Sequence, residues 1–170
     1  MKRTSLSLRR VRLSDERYFS RWWRDPRLIH LTSGDHRPLS ATDVHRLFGQ
    51  LAHSRRARHW MVIEGKQPIG HVTVRGHDPA EIQIMIGRPN LWGHGYGTTI
   101  ATQLRVRIQK LGIKRARMFV WRRNKRSIAL GKKFGFHLTG RVRRQAGSRT
   151  RVYLILDWLP DNGIGGKAKA

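Results

Sequence analysis

The stretch RPNLWGHGYGTTIATQL, residues 88–104, places three glycines in five positions directly before a helix-like pattern. Glycine permits positive φ angles and lets a ligand approach the backbone without meeting a Cβ atom. A glycine loop that leads into a helix leaves backbone N–H groups free, and the helix dipole adds positive potential there. The stretch therefore predicts an anion site, for which phosphate is the usual ligand. A glycine-rich connector without a ligand is the alternative.

Neither of the common nucleotide-binding motifs fits this loop. A Walker loop requires G-x-x-x-x-G-K-[ST], and no lysine or serine is placed in that way. A dinucleotide-binding fingerprint requires G-x-G-x-x-G with an acid about 20 residues further on. Here the spacing is G-x-G-x-G, and residues 113–119, IKRARMF, contain no acid.

Apolar periodicity along the chain predicts strands and helices around one core. A strand in LSLRRVRL is followed by three helices, which begin near Ser14, Pro26 and either Ser40 or Thr42. HWMVIEG and PIGHVTVRG form a hairpin, and AEIQIMIG is the next strand. After the glycines come a helix over Gly97–Lys110, the strand KRARMFVW, a helix in NKRSIALGKKFGF and two final strands. The predicted order is β-α-α-α-β-β-β-α-β-α-β-β.

Length and composition fit a single domain. The chain has 170 residues and 38% hydrophobic residues, which suits one core. No repeat or linker divides it, so residues 1–158 are predicted to form one domain and residues 159–170 a flexible C-terminal tail. The absence of cysteine excludes a disulfide scaffold and a cysteine nucleophile. No segment approaches the roughly 18 apolar residues of a membrane span, which favours a cytoplasmic protein without a membrane partner.

The chain is strongly basic, with 36 Lys and Arg against 10 Asp and Glu and a net charge of +26. No acid lies between Glu81 and Asp157. Such a field favours polyanionic partners such as nucleic acid or ribosomes. A solvated, arginine-rich surface without a partner explains the same composition.

Two motifs in the right order resemble those of the GNAT family of acetyl-CoA-dependent N-acetyltransferases. WGHGYG is similar to the signature [Q/R]-x-x-G-x-[G/A], with Trp92 at the first position and matches at Gly95 and Gly97. The second block, N-x-x-[SA]-I-x-L-x-x-K-x-G-F, is matched by Asn124, Ser127, Ile128, Leu130, Lys133, Gly135 and Phe136. The resemblance is closest to the branch of ribosomal-protein N-terminal acetyltransferases and spermidine acetyltransferase.

The resemblance implies a GNAT-like α/β fold, with a mixed, mostly antiparallel sheet of about six or seven strands flanked by helices. It also implies acetyl-CoA as cosubstrate. Backbone N–H groups of the loop would hold the pyrophosphate, and the pantetheine arm would lie between one strand and Asn124. The implied cofactor-binding residues are Ile84, Met85, Ile86, Trp92, Gly93, His94, Gly95, Tyr96, Gly97, Thr98, Asn124 and Ser127.

The implied reaction is acyl transfer to an amine, which needs a base and donors for an oxyanion. Backbone N–H groups near Met85 and Ile86 are the implied oxyanion donors. Strand alternation predicts that Glu81 shares a face with Met85, and that this face meets His71 of the neighbouring strand. Glu81, acting through water or as an anchor for the amine, and His71 are therefore candidate catalytic residues. The alternatives are a carboxylate paired with arginine and a polar residue on a wet strand face.

The family's usual tyrosine acid is replaced here by Gly131. Ser127 is the candidate proton donor, with a helix-capping role as its alternative, and thiolate departure without a dedicated acid stays open. Trp22, Trp23 and Trp60 are candidates for the wall of the acceptor groove. The histidines show no metal-ligand spacing, so no metal is predicted.

The predicted function is transfer of an acetyl group from acetyl-CoA to a primary amine by direct attack on the thioester. The positive charge argues against a free polyamine acceptor, since like charges repel. It fits a protein N-terminus on an RNA-rich particle, such as that of a ribosomal protein, while a small-molecule amine remains an alternative. The rival is a catalytically inactive GNAT-fold protein that binds nucleic acid or ribosomes through its basic surface. The resemblance also leaves a homodimer open.

Overall fold

The computed structural model describes residues 5–33, 37–146 and 149–159. Within these ranges the strands and helices follow the predicted order. The strands are β1 Leu6–Arg10, β2 Ala57–Glu64, β3 Gln67–Arg75, β4 Ala80–Ile86, β5 Ala116–Trp121, β6 His137–Ala146 and β7 Arg149–Trp158. The helices are α1 Glu16–Trp23, α2 Pro26–Ser33, α3 Ala41–Ala52, α4 Tyr96–Lys110 and α5 Lys125–Lys133.

The strands form one seven-stranded sheet in the order β1-β2-β3-β4-β5-β7-β6. Strands β4 and β5 are parallel, and the other neighbouring pairs are antiparallel. The predicted fold class, with a mixed and mostly antiparallel sheet between helices, is therefore confirmed. Of the predicted tail, all but Leu159 lies outside the described residues. Among the described helices, none is both long and apolar enough to cross a membrane.

The parallel pair β4 and β5 meets only at the start of the two strands. The paired positions are Ala80 with Ala116 and Glu81 with Arg117. Beyond Glu81 the described part of β4 has a partner only on its β3 side, so the sheet opens between β4 and β5. This opening is the feature around which the candidate site is built.

The sheet separates two apolar cores. One contains Leu104 of α4, and the other contains Phe19 of α1 and Phe48 of α3. Strand β4 contributes to both, because Ile82 belongs to the α4 core and Met85 to the core of α1 and α3. This is the alternation of faces that a strand requires.

Two isolated glycines allow packing that no side chain would permit. A Cβ atom at Gly70 of β3 would lie 2.2 Å from the carbonyl oxygen of Met85. A Cβ atom at Gly87, directly after β4, would lie 2.1 Å from the indole Nε1 of Trp22. Both contacts are far inside van der Waals distance, so these glycines set how closely β3 and α1 approach β4.

Candidate active site

The glycine loop enters α4 through two residues with left-handed backbone angles. Gly93 has φ +84° and Gly95 has φ +86°, a region that favours glycine. Gly95 is the N-cap of α4, and no side chain caps the helix. The N–H groups of the first helical turn, from Tyr96 to Thr98, are therefore available to a ligand.

The third glycine serves helix packing. A Cβ atom at Gly97 would lie 3.2 Å from Cδ2 of Leu130 in α5. At Gly93 and Gly95, in contrast, an added Cβ would meet no atom within 4 Å. The two loop glycines thus satisfy backbone conformation, whereas Gly97 lets α4 and α5 approach each other.

A cleft of about 480 Å³ lies in the opening between β4 and α5, with the glycine loop at one end. We call it the glycine cleft. The predicted cofactor-binding residues that line it are Ile84, Met85, Ile86, Trp92, Gly93, Gly95, Gly97, Thr98, Asn124 and Ser127. The side chains of His94 and Tyr96 are not part of its lining.

The backbone of β4 turns free polar groups toward this cleft. The N–H of Gly87 donates to the carbonyl of Ile69 in a 2.8 Å hydrogen bond. Antiparallel ladders alternate residues that bond toward the partner with residues that bond away from it. Ile84 and Ile86 therefore direct their N–H groups away from β3, toward the opening. The carbonyl of Ile86 accepts a 2.9 Å hydrogen bond from Nε1 of Trp92.

Two cations from α5 border the glycine cleft. The guanidinium of Arg126 stacks 5.4 Å from the ring centre of Trp92. The ammonium of Lys133 donates to the hydroxyl of Thr98 over 3.5 Å. None of the described residues that line the cleft is Asp or Glu. The charges and the helix N-terminus therefore both favour an anion at this end of the cleft.

Asn124 ties α2 to α5 across the mouth of the cleft. Its side-chain oxygen accepts a 3.1 Å hydrogen bond from the N–H of Ser127, as an N-cap does. Its side-chain nitrogen donates to the carbonyl of Leu31 over 2.9 Å. Both amide atoms are thus used within the protein. Ser127 lines the cleft and is not itself the cap, and its predicted role as proton donor stays a prediction.

A second cavity of about 320 Å³ lies on the other face of β3 and β4, beneath α1, α2 and α3. We call it the histidine cavity, after His59 and His71. Trp22 and Trp23 line it, and their role in an acceptor groove stays a prediction, whereas the prediction for Trp60 is wrong because this residue packs in the α4 core. The residues that line both the cavity and the glycine cleft are Leu28, Thr32 and Met85.

A buried hydrogen-bonded group forms the floor of the histidine cavity. The hydroxyl of Thr73 lies 2.8 Å from Nε2 of His71 and 3.0 Å from Nδ1 of His59. Burial lowers the pKa of His71 to about 3, with a smaller contribution from His59. Burial, assisted by nearby arginines, lowers the pKa of His59 to about 4. Both imidazoles are therefore neutral near pH 7, and His71 is a weak base.

A family model described as an acetyltransferase (GNAT) domain matches residues 5–137. The chain belongs to the GNAT acetyltransferase family. The predicted family and the predicted class of enzyme, an acyl-CoA-dependent N-acetyltransferase, are thereby confirmed. A comparison with curated protein sequences finds no match.

Solved GNAT structures share this fold. Spermidine N-acetyltransferase from Vibrio cholerae, in complex with CoA and spermine, has a TM-score of 0.77 at 21% identity, covering 91% of this chain and 95% of that one. The aminoglycoside acetyltransferase AAC(6')-Ib, with ribostamycin and coenzyme A, has a TM-score of 0.78 at 15% identity, covering 98% and 99%. A GNAT acetyltransferase from Streptococcus pneumoniae has a TM-score of 0.68 at 21% identity, covering 91% and 99%.

The remaining predicted GNAT residues line neither the glycine cleft nor the histidine cavity. Glu81, at the start of β4, is aligned with Arg75 and Arg117 on the neighbouring strands and lines neither the cleft nor the cavity. It is four residues from Met85, roughly 13 Å along an extended strand. Its role as base or anchor stays a prediction.

Tyr96 and Gly131 also face away from the glycine cleft. The hydroxyl of Tyr96 donates to the carboxylate of Glu64, and this hydrogen bond raises the pKa of the tyrosine. A Cβ atom at Gly131 would lie 3.7 Å from Phe136 and 3.8 Å from Leu156. Gly131 therefore faces the core. Within the described part of the chain, no group of His, Asp and Glu residues is arranged to hold a metal ion.

Several cleft and cavity residues were not predicted from the sequence. They are Leu28 and Thr32 of α2, Arg126 of α5 and His59 of β2. The two residues on α2 resemble ordinary helix positions, and Arg126 is one arginine among many. His59 lies between Arg58 and Trp60, so no apolar alternation marks its position in the sequence.

Proposed function

We propose that this chain transfers an acetyl group from acetyl-CoA to a primary amine by direct attack of the amine on the thioester. The observation that carries the proposal is the glycine cleft, which joins an uncapped helix N-terminus to the open edge of β4. Free N–H groups at one end suit a pyrophosphate, and the open strand edge suits an extended amide-containing arm.

The residues of the cleft fit coenzyme A. The backbone of residues 93–98 would hold the pyrophosphate, with Lys133 and Arg126 adding positive charge. The free backbone groups of Ile84 and Ile86 would pair with the pantetheine arm. Acetyl-CoA supplies the activated acetyl group as a thioester.

The transfer itself would occur where cleft and cavity meet, at Met85. The N–H of Ile86, which is directed toward the cleft, is the better oriented of the two proposed oxyanion donors, since alternation turns that of Met85 toward β3. Ser127 lines the cleft and is the proposed proton donor to the departing thiolate. Glu81 and His71 remain the proposed bases. Glu81, roughly 13 Å from Met85 along the strand, would act through a chain of waters or as an anchor for the amine, and the neutral His71 would be a weak base.

Calorimetry of acetyl-CoA binding tests the proposal with a matched pair of variants in the first turn of α4. Thr98→Glu places a carboxylate in the cleft, whereas Thr99→Glu places one on the exposed neighbouring position outside it. Both acids favour the helix N-terminus, so both variants are expected to fold. Two like charges about 5 Å apart repel by about 3 kcal/mol at an effective dielectric constant of 20.

We therefore expect Thr98→Glu to weaken acetyl-CoA binding about 100-fold and Thr99→Glu to change it by less than about threefold. Absence of acetyl-CoA binding by the wild-type protein, or equal loss in the two variants, would contradict the proposal.

Binding of nucleic acid or ribosomes through the basic surface is a second candidate function. The specific observation is the pairing of Arg144 directly opposite Arg151 in the hairpin of β6 and β7. Like charges in facing positions destabilise a sheet, and a bound polyanion would relieve the repulsion. The exposed arginines of these strands are Arg141, Arg143, Arg144 and Arg149, whereas Arg151 is partly buried.

A titration with single-stranded RNA between about 50 and 200 mM salt tests this second function. We expect binding to weaken steeply with salt, and removal of Arg141, Arg143 and Arg144 together to flatten that dependence. Removal of the exposed Arg55 and Arg56, which precede β2, is the control. A shallow salt dependence in the wild-type protein would exclude the function. A homodimer remains a proposal without a specific contact to support it.

A further inference from the structure

Like the glycine cleft, the described part of the histidine cavity offers no carboxylate to an ammonium group. Among the described residues that line it, none is Asp or Glu. Its polar side chains are neutral, apart from the guanidinium of Arg75 on the exposed end of β3. An amine with several positive charges would therefore lose its hydration here without gaining an opposite charge.

The histidines of the cavity are buried and neutral, so they add no charge to it. His59 and His71 line the cavity, and each keeps one buried ring nitrogen without a hydrogen bond to any described residue, namely Nε2 of His59 and Nδ1 of His71. The hydroxyl of Thr73 lies within hydrogen-bond distance of both rings, and the direction of each bond depends on the histidine tautomers.

The wall of the cavity is apolar and aromatic. Trp22, Trp23 and Leu28 contribute to it, and Met85 separates it from the cleft. A peptide end offers matching chemistry, because it combines an apolar side chain with an amide that both donates and accepts. Its only positive charge is the α-amino group itself.

The cavity also offers no strong base to remove a proton from the acceptor. Glu81 is not part of its lining, so an amine that is already uncharged in water has an advantage. An α-amino group has a pKa of about 7.7–8.0, against about 10.4 for an alkyl amine such as lysine. At neutral pH the uncharged fraction of the α-amine is therefore higher by a factor of about 300.

We infer that the histidine cavity is the acceptor subsite and takes the α-amino end of an uncharged peptide, in preference to polyamines and lysine side chains. This inference rests on the proposed acetyl transfer. In the reaction the amine nitrogen forms a bond to the acetyl carbon, the carbon–sulfur bond breaks, coenzyme A leaves as the thiolate, and the nitrogen loses one proton to solvent.

The test compares three acceptors at saturating acetyl-CoA, with release of the coenzyme A thiol as the measured signal. They are a neutral tripeptide amide with a free α-amine, the same length of peptide with a blocked α-amine and one lysine, and spermidine. We expect kcat/KM for the free α-amine to exceed that for each of the others about 100-fold. A higher kcat/KM for spermidine or for the lysine peptide would overturn the inference, as would transfer to none of the three.

A second experiment tests whether a carboxylate added to the cavity increases activity toward a polyamine. Gln83→Glu adds a carboxylate to the cavity, and Gln109→Glu adds one to an exposed position of α4 that lines neither hollow. We expect only Gln83→Glu to raise kcat/KM for spermidine, by about tenfold. An equal effect of both variants would contradict the inference.

Calorimetry of acetyl-CoA separates this inference from the proposed function. Failure of acetyl-CoA to bind would defeat both. Normal binding together with a preference for spermidine would defeat only the assignment of the acceptor.

Discussion

The glycine cleft and the histidine cavity lie on opposite sides of Met85 and share part of their walls, yet their polar groups differ in kind. The cleft presents free backbone N–H groups and two side-chain cations. The cavity presents neutral imidazoles and a hydroxyl among aromatic rings. The cleft therefore favours a polyanion and the cavity an uncharged group, although the whole chain carries a net charge of +26.

The glycines near β4 also differ in why they are needed. Gly93 and Gly95 need positive φ angles and have open space around them, whereas Gly70 and Gly87 have ordinary backbone angles and no space. Backbone conformation explains the first pair, and close packing explains the second. Substitutions at the second pair are expected to affect folding first.

The largest expected effect therefore concerns the two closely packed glycines. Gly70→Ala or Gly87→Ala would force a methyl group into the carbonyl of Met85 or the ring of Trp22, and we expect a loss of about 3 kcal/mol in unfolding free energy. Gly49→Ala, in α3 with no atom within 4 Å, is the matched control and should stabilise by about 0.5–1 kcal/mol. Urea unfolding measures all three, and unchanged midpoints at Gly70 and Gly87 would refute the packing role.

A second effect follows from the neutral histidines. The pKa of His71 is about 3 in the folded chain against an ordinary value of 6.5. Between these values the unfolded chain binds a proton that the folded chain does not, so stability falls as pH falls below 6.5. Each such histidine contributes a slope of about 1.4 kcal/mol per pH unit.

The His71→Leu variant lacks one of these titrating groups. Between pH 7 and pH 5 we therefore expect it to lose about 2 kcal/mol less unfolding free energy than the wild type. The exposed His137→Leu is the control and should keep the wild-type slope. Urea unfolding at several pH values measures this loss of stability in the wild type and in both variants. A His71→Leu protein that loses as much stability as the wild type would show that His71 is not buried in its neutral form.

A smaller effect is expected on the cleft side. Lys133→Gln removes a cation beside Thr98, and we expect acetyl-CoA to bind about tenfold more weakly, while KM for the acceptor stays unchanged. Lys132→Gln removes an exposed charge one residue away that does not line the cleft. Calorimetry of both variants tests whether the cleft or the overall positive charge attracts the coenzyme; equal losses would favour the overall charge.

The smallest effect concerns Tyr96, which lies in the glycine loop but faces Glu64. Tyr96→Phe is expected to change both kcat and the Kd of acetyl-CoA by less than about twofold, since only its backbone N–H adjoins the cleft. A tenfold loss of kcat without weaker binding would instead identify the hydroxyl as the missing proton donor.

The order of strands and helices and the glycine loop were predictable because their signals are local, whereas the architecture of the sheet followed from the family resemblance. Three glycines between a strand and a helix mark the loop, and strand alternation correctly placed Met85 and Ile82 on opposite faces. The family block around Asn124 completed the cleft. None of these inferences required knowledge of which distant segments pack together.

The histidine cavity was harder to predict from the sequence because it is assembled from distant elements. Leu28 and Thr32 lie on a helix whose packing against β4 leaves no trace in the sequence, and Gly87 resembles any loop glycine. Trp60 was grouped with Trp22 and Trp23 by residue type alone, and its side chain packs on the opposite face of the sheet, in the α4 core. Glu81 shares the predicted face with Met85, but alternation does not convey the distance along the strand.

The hydrogen bond from Asn124 to the carbonyl of Leu31 has a consequence for how the two ligands influence each other. It anchors α2, which supplies Leu28 and Thr32 to both hollows. A coenzyme that restrained α2 from the cleft would also restrain the helix that covers the histidine cavity. Thermodynamic reciprocity would then require a ligand in the cavity to tighten coenzyme binding by the same factor, and loss of the Asn124 amide would weaken that coupling.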